Sequence, residues 1–212
     1  MRNKLKELLE NDRTIEKLST FCEDRYYTGT LHLESDASSL FKSFGNIFEE
    51  LSEGMKGFDS EHETIDHLVD TIIYSIDTLV QMNVNPTRAI STFLIREDIP
   101  YGYDTDHAIL VKHDTLSTMV SIFLRGPSKC KPNFDAIKDF YIELILANIR
   151  AIEDMGYDAR DALIEALLEV SSRKQCPHQI RRGRKPGEKW EKDKDQDKTT
   201  MYKAVYRKQE VM

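Results

Sequence analysis

Glycine and proline are scarce in this chain, with 9 and 6 among 212 residues. That argues against the turn-dense all-β architectures, whose short strands need such punctuation at regular spacing. Cysteine is scarcer still. Cys22, Cys130 and Cys176 make an odd number, so no disulfide framework is encoded, and a reducing compartment fits. No apolar run approaches the roughly 18–20 uncharged residues that a membrane span requires. Met1-Arg2-Asn3-Lys4-Leu5-Lys6 leads into a charged helical pattern and not into a signal peptide, so the expectation is a cytoplasmic protein without a membrane partner.

What is present is charge, unevenly placed. The net charge is −7, yet from Arg173 to Met212 there are 13 Lys and Arg against 6 Asp and Glu. The remaining residues carry 17 bases and 31 acids. An acidic body suits the gathering of cations, and a basic tail suits the gathering of phosphates.

Apolar residues recur at three- and four-residue spacing almost throughout, which predicts an all-α bundle. Leu5, Leu8, Leu9, Ile15, Leu18 and Phe21 mark N-terminal helices, followed by a less helical arm over 26–33. Leu40, Phe41, Phe44, Ile47, Phe48, Leu51 and Met55 trace one face of a helix over 38–55. Ser60 with Glu63 reads as a capping box for a helix reaching about Met82, with Asn83 as its left-handed stop and Pro86 in the first turn of the next. Beyond a connector with Pro100 and Gly102, helices are expected over 107–124, from Asn133 or Asp135 to Gly156, and over 158–170.

The two halves look like a duplication. Asp66 and Asp70 precede Asn83 at the same spacing as Asp139 and Glu143 precede Gly156, and an Arg-Ala-bearing helix start follows each stop. The expected organisation is therefore N-terminal helices and arm over 1–35, a first helical unit over 36–96, a connector over 97–106, a second and degenerate unit over 107–174, and a basic C-terminal tail over 175–212. Helices this apolar have surface to spare, and a homodimer is expected.

Candidate chemistry sits in the first unit. Glu50 and Glu53 project from one face of their helix with Glu49 beside them, and Glu63, Asp66 and Asp70 share a face of the next. A short break makes the two helices antiparallel neighbours, so the acidic sets meet. Acidic helix faces are usually only solvated. Here, however, Asp66 and Asp70 border Ile65, Leu68, Val69, Ile72 and Ile73, and a carboxylate at the margin of an apolar stripe needs a partner. Mg²⁺, with Mn²⁺ as substitute, is the hard cation such oxygens suit.

Glu49-Glu50-Leu51-Ser52-Glu53 followed by Asp66-His67-Leu68-Val69-Asp70 resembles the Glu-Glu-x-x-Glu and second-helix motifs of the MazG-like and dimeric dUTPase-like all-α nucleoside triphosphate pyrophosphohydrolases, including phage-type members. The resemblance covers roughly 40–170. It implies Glu50, Glu53 and Asp70 as metal ligands with Asp66 as a fourth, and cleavage of a (d)NTP to (d)NMP and pyrophosphate. His67 stands where the Glu-x-x-Asp version has its Glu, which leaves the fourth ligand open between Asp66, His67 and neither; a phosphate contact is the other role for His67. Glu49 or Glu53 is the expected water-orienting base. Glu169-Val170-Ser171-Ser172-Arg173-Lys174 resembles the family's phosphate-contacting helix end, which nominates Arg173 and then Lys174. The second unit lacks the paired-Glu motif and is expected to be structural.

Two other readings stay open: a silent nucleotide binder, and a helical interaction module whose tail touches nucleic acid. The overall negative charge and the absence of a reading motif weigh against the latter. Cys176-Pro177-His178 offers two ligands without a matching pair, a poor zinc site.

Overall fold

The computed structural model describes residues 8–9, 13–25, 45–50, 52–53, 60–96, 134–182 and 191–209. The helices are α1 (Thr14–Arg25), α2 (Glu61–Gln81), α3 (Pro86–Arg96), α4 (Phe134–Asp154), α5 (Ala159–Ser172) and α6 (Pro177–Arg182), with a 3₁₀ turn at Lys198–Thr200. Among the described residues the only β pairing is two isolated bridges, Tyr157 with Lys208 and Gln175 with Lys192. The mainly helical reading holds, and no described helix is long and apolar enough to cross a membrane. The expected arm over 26–33, the connector over 97–106 and the helix over 107–124 lie outside the described residues.

α2 is the centre of the bundle. It packs most extensively on α4, with α1 and α5 against its other sides. The apolar positions expected on it, Ile65, Leu68, Val69, Ile72, Ile73, Ile76 and Leu79, are all buried. Fully burying such a side chain contributes roughly 1.5–3 kcal/mol. Three hydroxyls are buried with them. Thr71, Ser75 and Thr78 each donate to the carbonyl one turn back, on His67, Thr71 and Tyr74 respectively, which satisfies them inside an apolar interface.

The stops and starts are local and chemical. Ser60 caps α2 and accepts from the Glu63 amide. Asn83 follows α2 at φ +59° and Gly156 follows α4 at φ +84°, both in the left-handed region. The amides of Val84 and Tyr157 reach back to Leu79 and Ile152, closing the two ends by the same pattern. Asn85 then accepts from the Arg88 amide and Asp158 from the Asp161 amide. The two helix pairs run in one register: Glu61 with Phe134, Gln81 with Asp154, Pro86 with Ala159.

One expectation needs refinement. In the segment bearing the paired glutamates, residues 45–50 and 52–53 are helical and Ile47 is fully buried, but Phe48 is 48% exposed and so stands off the core-facing stripe. Successive helical residues are turned by about 100°, so Ile47 and Phe48 cannot share a narrow face.

The tail is not an appendage. Residues 191–209 fold back over α5 and the N-terminal half of α2. Ala204 and Tyr206 are buried and Val205 between them is exposed, the alternation of an extended strap. The two described thiols, Cys22 and Cys176, are free; burial first, then the charge of Asp77, pushes the Cys22 thiol well up, which leaves it unreactive.

Candidate metal and phosphate site

In the described part of the 45–53 segment, Glu50 makes a polar contact with α2. The Nδ1–H of His67 donates to Oε2 of Glu50 at 3.0 Å, and both side chains are largely shielded from solvent. Glu50, Glu53 and His67 each offer a ligand atom, and these atoms lie within 4.8 Å of one another. Through this bond His67 orients Glu50, as second partners of metal-binding carboxylates do.

Asp70 lies one turn beyond His67 and Asp66 on α2. Its carboxyl is pushed up to about 7, first by burial, then by the charges of Glu50 and Asp66, with Glu169 adding and the Arg173 guanidinium opposing. Glu50 is likewise raised, burial being the main cause and the His67 bond the main opposition. Tyr74, one turn further on, is pushed up to about 12 by burial and then by Asp70 and Glu50. Among the described residues, the carboxylates of Glu50, Asp66 and Asp70 thus press on one another at half-buried positions. A divalent cation would relieve that repulsion, and the oxygen-rich donor set fits Mg²⁺ or Mn²⁺.

The positive groups come from the far end of the chain. Arg173 follows α5, and its Nη2 donates to Oε1 of Glu169 at 3.0 Å. Lys192 is paired to Gln175 by a bridge, with the Cys176 amide donating to Glu191 and the Asp193 amide to Lys174. This places Lys192 among Arg173 and Asp70; its ammonium is lowered, by partial burial first and by Arg173 next, with Asp70 opposing.

Of the residues nominated from sequence, Glu50, Glu53 and His67 bring ligand atoms within 4.8 Å of one another, while Asp66 and Asp70 stand outside that group, Asp70 near enough to feel the charges of Glu50 and Asp66. Glu49 and Glu53 are exposed at the rim while Glu50 is half-buried, a division set by the helical turn. Asp66 is engaged by Tyr206, whose hydroxyl donates to Oδ1 at 2.6 Å. Lys174 contributes through its backbone, where its amide donates to Oε1 of Gln196, and its side chain points to solvent. His178 is exposed and Cys176 half-buried, so this pair shows no closed site. Sequence reasoning missed Glu169, Lys192 and Tyr206. The signal for Tyr206 was the alternation of small and aromatic residues in a charged tail, which spacing alone does not attach to a helix 140 positions away.

No protein-family model, curated protein or solved structure matches the chain.

Proposed function

We propose that the chain is a Mg²⁺-dependent nucleoside triphosphate pyrophosphohydrolase built as a tandem of two helical units, the second of them structural. One observation carries the reading: Glu50, Glu53 and His67 gather ligand atoms from two helices within 4.8 Å of one another, and the half-buried Asp70 nearby feels the charges of Glu50, Arg173 and Lys192. Carboxylates for a divalent cation beside guanidinium and ammonium for phosphate oxygens are what recognition of a cation-complexed polyphosphate needs. The matched caps and register of α2–α3 and α4–α5 support the tandem, and the 87% exposed Ile95 is consistent with a further interface in a homodimer.

Glu50, Glu53 and Asp70 hold the cation, with His67 fixing the Glu50 rotamer. The bound ion supplies neutralisation of charge that builds on the phosphate oxygens. Arg173, steadied by Glu169, offers its guanidinium charge to those oxygens, and Lys192 adds a point charge. Glu53 or Glu49, exposed at the rim, orients a water and takes its proton as the water oxygen bonds to the α-phosphorus. The α–β bridge breaks, and pyrophosphate leaves with the electron pair. Nucleoside monophosphate remains.

The test is a panel of ribo- and deoxynucleoside triphosphates with Mg²⁺, products resolved by chromatography, with Glu53→Gln in parallel. Monophosphate and pyrophosphate from one or a few substrates, lost in the variant and in EDTA, are expected. Nucleotide binding without any turnover would replace the hydrolase by a silent binder.

A further inference from the structure

The C-terminal strap is held along its length by bonds to α2 and α5. The Nε2–H of His62 donates to the Ala204 carbonyl at 3.1 Å, and the Ala204 amide donates to Oε2 of Glu169 at 2.9 Å. The Val205 amide and the Tyr202 hydroxyl both donate to Oε2 of Glu165. Lys208 pairs with Glu61, and the Gln209 amide donates to the Gly156 carbonyl at 2.8 Å. These anchors grip the strap on both sides of Tyr206.

Tyr206 is 9% exposed, its ring 4.8 Å from that of His62, and its hydroxyl reaches Asp66 at 2.6 Å. A hydroxyl donating to a carboxylate at that length is a charge-assisted bond, about twice as strong as a neutral one. Asp66 is thus fixed by a residue from the opposite end of the chain. Glu169, which holds the strap by one oxygen, holds Arg173 by the other.

We propose that Tyr206 is a positioning residue for this site, fixing Asp66 beside Asp70. The inference rests on the reading of the cluster as a Mg²⁺ site. It differs from a packing role in a measurable way. A tyrosine that only packs would lower the melting temperature when truncated, whereas one that orients Asp66 also weakens the cation, and does so only while Asp66 is a carboxylate. Partners of this kind typically cost 10–100-fold in metal affinity or activity when removed.

The experiment uses the full chain and four variants: Tyr206→Phe, Tyr202→Phe, Asp66→Asn and the Tyr206→Phe/Asp66→Asn double variant. Affinity for Mn²⁺ and Mg²⁺ alone is measured by calorimetry, with melting temperature alongside. Tyr202→Phe removes an equivalent strap-to-carboxylate bond, on Glu165, away from the cluster. The expected result is a loss of about tenfold in affinity for Tyr206→Phe, no change for Tyr202→Phe, and no further loss when Tyr206→Phe is added to Asp66→Asn. A wild type that binds cation with Tyr206→Phe unchanged, or with losses that simply add to those of Asp66→Asn, overturns the positioning role alone. A wild type that binds neither cation overturns the underlying reading and the positioning role together.

Discussion

At the scale of single residues, Asp70 is the informative one, because it is expensive where it stands. Its folded carboxyl titrates near 7 against an ordinary 3.8. An acid raised on folding binds more protons folded than unfolded between those values, so stability falls as pH rises from about 4 to about 7, and the cost is complete above that. The shift corresponds to an upper bound of about 4 kcal/mol at pH 8. Asp70→Asn keeps the shape and removes the charge. In cation-free buffer at pH 8 this variant should melt above the wild type, with the gap shrinking as pH is lowered towards 5, and it should lose all response to Mg²⁺. Thermal melts across that pH range check it; a variant less stable than the wild type at pH 8 contradicts the charge-crowding account. Glu53→Gln, at the exposed rim, should leave the melting temperature within about 0.5 kcal/mol of stability, as surface substitutions do, while lowering turnover at least a hundredfold.

At the scale of elements, caps and buried stripes decide where helices start, stop and face. Ser60→Ala removes the acceptor for the Glu63 amide and should cost about 0.5–2 kcal/mol in denaturant unfolding. The exposed setting and 3.4 Å length of that bond put the expectation at the lower end. Ile72→Ala, fully buried in the core, should cost about 2–5 kcal/mol with an unchanged unfolding slope. These features were legible in the sequence because each is local. A serine three before a glutamate, an asparagine or glycine after the last apolar turn, and isoleucines at helical spacing announce α2 and α4 without tertiary information. The facing of Phe48 was less legible: an apolar residue in a helix is assigned to the core by type, although about half a folded surface is apolar.

At the scale of the whole molecule, the candidate site is assembled from parts distant in the chain. The meeting of Glu50 and Glu53 with the next helix was legible from spacing, but the group there is completed by His67, with Asp66 and Asp70 outside it. The other half of the site was not legible. Tyr206 meets Asp66, and Lys192 approaches Asp70, only because the tail doubles back over α5, a path set by bonds from Glu165, Glu169 and Gly156. A charged tail with low mean hydropathy reads as solvated, and nothing in its spacing names the carboxylates that capture it. Arg173 was found, since it sits at a helix end; its partner Glu169 was not, since an acid one turn earlier has many uses.

The central claim is that these carboxylates and cations direct water to the α-phosphorus of a nucleoside triphosphate. The most direct test is hydrolysis of the preferred triphosphate in ¹⁸O-labelled water with Mg²⁺, followed by mass analysis of both products. The account predicts one labelled oxygen in the nucleoside monophosphate and none in the pyrophosphate. Label in the pyrophosphate, or inorganic phosphate as the first product, would contradict it.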